Sequence, residues 1–291
     1  MKFLATIYDI NSIKDILAYA DGIILGHRSI GTRLTHSFEK DEIIEAISIT
    51  KSLHKEVFIQ ANQLFMDDEL LLFEAFIKEL PLKDVKGIVV ADLGAYRVLK
   101  KLGFVEKVIY NPETLLTNHY DFNFLKQDHI LGVYVAKEIT LRDLEEIGSK
   151  KAYHMFMVGH GHLNMFYSKR QLIKTYTEYI DKENLYHNTQ NLKIIEETRD
   201  HEAYPILEDD AGTHVFRSKV FSSLDYQNEL SSFVDYLVFD SIFKDDAYQK
   251  KVLALYRNQA HKETIIKDIQ DAYQEAWDEG FFFKKTIYKS K

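Results

Sequence analysis

The chain has 291 residues, 46% hydrophobic and 28% charged, with 37 Lys and Arg against 45 Asp and Glu for a formal net charge of −8. That is enough apolar material for one large α/β domain or two ordinary ones. The acidic balance makes the chain a poor default nucleic-acid binder, since phosphate neutralisation drives most such affinity, though a local basic patch stays open, and the absence of cysteine excludes disulfides, thiol nucleophiles, Cys-ligated zinc and a Cys-ligated iron–sulfur cluster in this chain.

The start, MKFLATIYDINSIKD, lacks the sustained apolar core and small-residue cleavage site of a signal peptide. No apolar run approaches a membrane span, so a cytoplasmic protein without a membrane partner is expected. Residues 3–8 read as a first strand and 12–20 as a helix with Ser12 as its N-cap. GIIL at 22–25 is a second strand, followed by the loop GHRSIGTRLTHSFEK and a helix over 41–53 with Ile43, Ile44, Ile47 and Leu53 apolar. Residues 57–61 form a third strand, with Asn62 and Gln63 directly after it and a helix over 67–80. A fourth strand at 87–90 runs into ADLGAYR and a helix through Lys101. A fifth at 107–110 precedes NPETLLTN, and a sixth at 130–135 precedes AKE and a helix over 140–147.

The seventh strand, 151–158, opens the stretch KAYHMFMVGHGHLNMFYSKR. Gly159 ends it, and Gly159 and Gly161 flank His160. From Ser168 a helical pattern begins, with Leu172, Ile173, Tyr176 and Ile180 on one face. Then the rhythm breaks. Residues 184–216 contain LKIIEET and the turn signal DDAG, which reads as a small antiparallel insertion. A helix over 222–233, an eighth strand at 234–240, and helices over 247–256 and 263–278 follow. Phe281, Phe282 and Phe283 are expected to pack against the rest of the fold.

Short strands alternating with helices, several of them apolar on both faces, predict a parallel sheet covered on both sides. No Gly-rich phosphate fingerprint follows the first strand, so an α/β, TIM-like (β/α)8 barrel with a small inserted β segment fits better than an open doubly wound sheet. The expected plan is a barrel over 1–261 with its insertion at 184–216, and a C-terminal helix and tail over 262–291 packing on it.

In such a barrel the strand C-terminal ends converge on one mouth. They would deliver His27, Arg28, Asn62, Asp92, Asn111, Lys137, Glu138, His160, His162 and Asp240, a set of polar groups that marks a candidate site. His160 and His162, two residues apart, would face one side of extended backbone. That suits a divalent metal, with Glu138, Asp92 or Asp240 adding a carboxylate; a tight glycine turn explains the pattern equally well. There is no G-x-S-x-G or H-E-x-x-H. Ser168 lies near the histidines, but no third group completes a triad. Lys284, Lys285, Lys289 and Lys291 are the obvious basic patch, read first as a solvated tail.

One ordered series of segments is more specific than any single motif. ADGIILG is followed by Arg33 and Phe38 before a helix. VFIQANQLF, IVVADLGAYRVLK, NPETLLTN, VAKEITLRDLEEI and MVGHGHLNMFYSKRQLI come next. Over most of its length the chain resembles the U-32, or collagenase-like, peptidase family, whose fold is similar to a TIM barrel. Carried over position by position, the resemblance points to Arg33, Asn62, Asp92, Asn118, Glu138, Gly161, Ser168 and Arg170. With the mouth residues, this gives Asp92, Glu138 and His160 as candidate catalytic groups. Arg33, Asn62, Asn118, His162, Ser168 and Arg170 are candidate substrate-binding groups, and no metal ligand is assigned. Family members commonly carry cysteines soon after the last segment, often for an iron–sulfur cluster; Gln171 and its followers include none. The family's R-E pair reads Lys137–Glu138 here.

The short, cysteine-free chain is similar to the family branch that serves bacterial tRNA hydroxylation, where 5-hydroxyuridine forms at the wobble position and a larger cysteine-bearing paralogue is the usual companion. The resemblance thus implies a tRNA-modification component with no cofactor of its own, acting with that paralogue and meeting tRNA through it or through a local patch. A collagenase-like peptidase and a non-catalytic scaffold subunit are the alternatives.

Overall fold

The computed structural model describes residues 1–283. In chain order it runs through β1 (Lys2–Thr6), α1 (Ile13–Leu17), β2 (Gly22–Leu25), α2 (Lys40–Ser52), β3 (Glu56–Gln60), α3 (Asp67–Glu79), β4 (Gly87–Val90), α4 (Leu93–Lys101), β5 (Val108–Tyr110), α5 (His119–Phe122), β6 (Gly132–Tyr134), α6 (Leu141–Gly148) and β7 (His154–Gly161). Next come β8 (Asn164–Ser168), α7 (Leu172–Tyr179), β9 (Lys193–Glu196), β10 (Arg199–Asp209), β11 (Gly212–Phe216), β12 (Val220–Ser222), α8 (Gln227–Leu230), β13 (Tyr236–Phe239), α9 (Asp246–Arg257), α10 (Lys262–Tyr273) and β14 (Trp277–Asp278). Strands β1 to β7 pair in parallel with their sequence neighbours, and β13 pairs in parallel with both β7 and β1. The eight strands therefore close into a TIM-like barrel ringed by helices.

Alternation along each strand sorts side chains between two cores. Leu4, Ile24, Phe58, Val89, Ile109, Tyr134, Phe156, Tyr236 and Val238 fill the barrel interior, where Phe156 stacks on Tyr236 at 4.4 Å. Their neighbours, Ala5, Ile23, Val57, Ile88, Val133, Leu237 and Phe239 among them, join the helices in a second, larger core. The helices begin on residues suited to that role. Asp92, Thr140 and Asp245 each accept a backbone N–H of the first turn of α4, α6 and α9, satisfying donors the helix itself cannot.

Between β7 and β13 the barrel rhythm is interrupted by an antiparallel sheet ordered β8-β11-β10-β9. This unit starts at Asn164, ahead of the 184–216 span that composition marks, because MFYS continues as an extended strand and pairs with β11. Asp210 and Ala211 make the two-residue turn of the β10–β11 hairpin, with Asp209 opposite Gly212. The helical pattern expected over 263–278 ends at Tyr273. Trp277 and Asp278 instead pair with Val220 and Phe221. Phe282 packs on Phe221 and Tyr226 at 5.3 Å, while Phe283 is exposed. The lysine-rich patch at 284–291 lies outside the described residues.

Candidate functional site

Two residues beyond the apolar layer, the same alternation turns polar. Thr6 follows Leu4, Gln60 follows Phe58, Asn111 follows Ile109 and Asp240 follows Val238. The C-terminal mouth of the barrel is thus floored by hydrocarbon and lined by hydrogen-bonding groups. Three amides at the end of β3 organise the loop after β2. Gln60 Nε2 donates to the Thr32 carbonyl at 2.9 Å, Asn62 Oδ1 accepts the Thr32 N–H at 3.0 Å, and Gln63 Nε2 donates to the carbonyls of Arg28 and Gly31 at 2.6 and 3.0 Å. This pins Arg33 at the mouth with φ of 53°, a left-handed conformation that side chains other than glycine seldom adopt.

Arg33 reaches across to Glu113, whose other oxygen is held by Lys137. All three side chains are less than a fifth exposed. Burial opposes the charge on Glu113, but Arg33 and Lys137 outweigh it and lower its pKa to about 2. Burial shifts the Lys137 ammonium downward, with Glu113 opposing and Arg33 reinforcing. Asp240, half-buried at the mouth, is pushed up by desolvation despite the Ile242 N–H, Lys137 and Arg33. One mouth therefore contains a carboxyl group held below its ordinary pKa and another pushed above it. Such a divergence of two carboxyl groups equips a site for acid–base work.

The inserted sheet closes over this cluster. Asp209 Oδ2 accepts the Arg33 N–H at 2.9 Å and the Thr32 hydroxyl at 2.8 Å. His214 Nε2 lies 2.8 Å from Thr32 Oγ1, and its Nδ1 lies 3.5 Å from Arg33 Nη1. Tyr167 stacks on His214 at 4.5 Å and brings its ring to 5.7 Å from the guanidinium. Burial keeps the His214 imidazole below its ordinary pKa, with Asp209 opposing and Arg33 reinforcing the shift. Beside the cluster is a cleft of about 220 Å³ lined by Arg28, Thr35, Ser37, Asn188, Gln190 and Asp209.

Of the residues singled out by sequence, Arg33, Asn62, Asn111, Lys137 and Asp240 meet at this mouth. The other candidate catalytic and substrate-binding residues do not join them. Asp92 caps α4 through the Ala95 N–H, and Asn118 caps α5 through the Tyr120 and Asp121 N–H groups. Glu138 is exposed, and its neighbour Lys137 turns inward instead. His160 faces the helical layer. A register shift between Val238 and Phe239 inserts an extra residue into β7, so His160 pairs with outward-facing Phe239. Its Nε2 lies 2.7 Å from the Tyr248 hydroxyl, and it packs on Trp277. His162 Nδ1 donates to the Arg217 carbonyl at 2.9 Å. Ser168 ends β8, and Arg170 is exposed just after it. The H-x-H pair thus lacks a shared direction, and no group of three or more His, Asp or Glu among the described residues is arranged around a metal ion.

The sequence profile of peptidase family U32 matches residues 9–290. The chain belongs to peptidase family U32. It is 26% identical to the tRNA hydroxylation protein P2 of Bacillus subtilis (strain 168), over 95% of this chain and 96% of that one. An uncharacterized protease of Methanocaldococcus jannaschii is 22% identical over 98% of this chain and 73% of its own. The tRNA hydroxylation protein P1 of B. subtilis is 22% identical over 60% of this chain and 42% of its own. A solved U32 peptidase overlaps 57% of this chain and 70% of its own at a TM-score of 0.46 and 13% identity.

Within U32, the cysteine-held iron–sulfur cluster implied by the family does not fit this member. It has no cysteine, so no thiolate set can hold one. Ser168 Oγ accepts the Arg170 N–H at 3.2 Å, and the nitrogens of His160 and His162 named above bond elsewhere. The groups that motif matching missed are Glu113, Asp209, His214 and Tyr167. Glu113 lies inside the U32 segment NPETLLTN, but its neighbours there gave no reason to prefer it. Asp209 and His214 sit in the insertion, whose turn chemistry was the only visible signal.

Proposed function

We propose that this U32 protein is a component of tRNA wobble-uridine 5-hydroxylation, acting in the cytoplasm with a larger, cysteine-bearing paralogue. The observation that carries this is the end-to-end similarity to a tRNA hydroxylation protein, 26% identity over 95% and 96% of the two chains, in a chain with no cysteine. The working site is the mouth formed by Arg33, Asn62, Glu113, Lys137, Asp240 and His214. Arg33 and Lys137 orient the substrate, and Asp240, whose pKa burial raises, is placed to give and take a proton. This chain holds no redox cofactor of its own, and the paralogue supplies that part of the reaction. The chain's net charge of −8 favours tRNA contact through the partner or a local patch over contact by overall charge.

Mass spectrometry of tRNA nucleosides from a strain deleted for the gene tests this. Wobble 5-hydroxyuridine and its derivatives are expected to fall and to recover on complementation. Unchanged nucleosides would refute the proposal. Casein or gelatin cleavage by the purified protein, abolished by Ser168→Ala, would favour the peptidase alternative.

A further inference from the structure

Among the described residues, the Arg33 side chain is held by Glu113 and, from one small sheet, by His214 and Tyr167. Tyr167 on β8 lies directly opposite His214 on β11, and Asp209 closes the hairpin that leads into β11. The barrel pins the loop at Thr32, through Gln60 and Asn62, and again at Thr35, whose hydroxyl donates to Asp240 at 3.4 Å. Between the two, the amide of Arg33 is satisfied by Asp209, at a residue whose φ of 53° is sparsely populated and so needs its surroundings to hold it.

The hydrogen-bonding partners argue for a proton on His214 Nε2, which also lies 3.4 Å from Asp209 Oδ1. The Thr32 hydroxyl gives its hydrogen to Asp209 at 2.8 Å, so its oxygen accepts from His214 Nε2–H at 2.8 Å. Nδ1 is then bare, and it faces Arg33 Nη1 at 3.5 Å, a group that has only hydrogens to offer. Tyr167 keeps the imidazole plane in place, 17° from parallel with its own ring.

We propose that Asp209, His214 and Tyr167 are positioning residues that act through Arg33, and that the mouth becomes a working site only when the inserted sheet sits on the barrel. The activity arm of the test rests on the function proposed above; the structural arm does not.

For activity, the deletion strain is complemented with Arg33→Gln, His214→Phe and the double variant, and wobble 5-hydroxyuridine is measured. His214→Phe keeps a ring on Tyr167 and removes both nitrogens. Arg33→Gln and His214→Phe should each lower the nucleoside by roughly tenfold or more, as misplacing a positioned group does. The double variant should lose no more than Arg33→Gln alone, and Asp209→Asn, which still accepts a hydrogen bond, should retain more than Asp209→Ala. Multiplied losses in the double variant, or wild-type levels with Arg33→Gln, would overturn the proposal.

For structure, nitrogen-15 NMR of the purified full chain should show His214 as the Nε2–H tautomer and a rotationally restrained Arg33 guanidinium that His214→Phe releases. A protonated Nδ1, or a guanidinium indifferent to His214→Phe, would overturn it whatever the deletion strain shows. If deletion leaves tRNA unchanged, the proposed function falls and the NMR result still decides the positioning. Should His214→Phe fail to fold, as judged by its melting temperature, His214→Gln replaces it in both arms.

Discussion

Glu113 carries the charge balance of the mouth, and its removal has two separable consequences. Glu113→Gln leaves Arg33 and Lys137 facing each other without their shared anion. Breaking a buried pair in this way costs about 3 kcal/mol or more, read as a lower midpoint in urea. The pH dependence comes from the lowered pKa. A carboxyl group held at about 2 when folded, against an ordinary 4.5, contributes stability that is complete above 4.5 and is lost as pH falls toward 2. The wild type should therefore lose more stability than Glu113→Gln between those values. His160 acts over a different window. Burial, with Lys244 and His162 adding to it, holds its pKa at about 3 against an ordinary 6.5. The unfolded chain protonates this histidine first, so stability declines as pH falls from 6.5 toward 3. His160→Phe should flatten urea midpoints across that range; an unchanged slope would mean that the imidazole is not held neutral.

At the scale of elements, the end of β7 shows where a sequence pattern and a structure part company. Strict alternation puts His160 and His162 on one side of the strand. One extra residue in β7 against β13 reverses the facing of the residues after it, as a bulge does, and sends His160 into the helical layer. Gly159 makes the close approach possible, since a Cβ there would stand 2.3 Å from Leu237 Cγ in the core. Gly159→Ala should cost about 1–3 kcal/mol through overpacking, measurable by thermal or urea unfolding. A neutral substitution would show that β7 shifts freely against β13. Asp92 and Asn118 teach a related lesson. An acidic or amide residue after a strand is also the ordinary start of the next helix, and both side chains are used that way.

Across the whole molecule, the barrel was legible because its signal is local. Each strand reads within four to eight residues, and the polar layer of Gln60, Asn111 and Asp240 follows from the same alternation that buries Phe58, Ile109 and Val238. The cluster that uses this layer is not local. Glu113 lies 80 residues from Arg33 and 24 from Lys137, and Asp209 and His214 lie 176 and 182 residues from the Arg33–Thr32 pair they hold. Nothing within any one segment encodes those meetings; they follow from ring closure and from where the inserted sheet lands. The same distances make the sheet's contribution to function testable apart from the barrel's.

A working site at the mouth is tested by the wobble 5-hydroxyuridine content of tRNA from the deletion strain carrying the wild-type gene, Lys137→Met or Lys2→Gln. Lys137 meets Glu113 at the mouth, whereas Lys2 pairs with Glu56 at the opposite rim of the barrel. The wild-type gene and Lys2→Gln are expected to restore the nucleoside, and Lys137→Met, folded by its melting curve, is expected not to. Full restoration by Lys137→Met, or no loss of the nucleoside on deletion, would rule out a tRNA-hydroxylation site at this mouth.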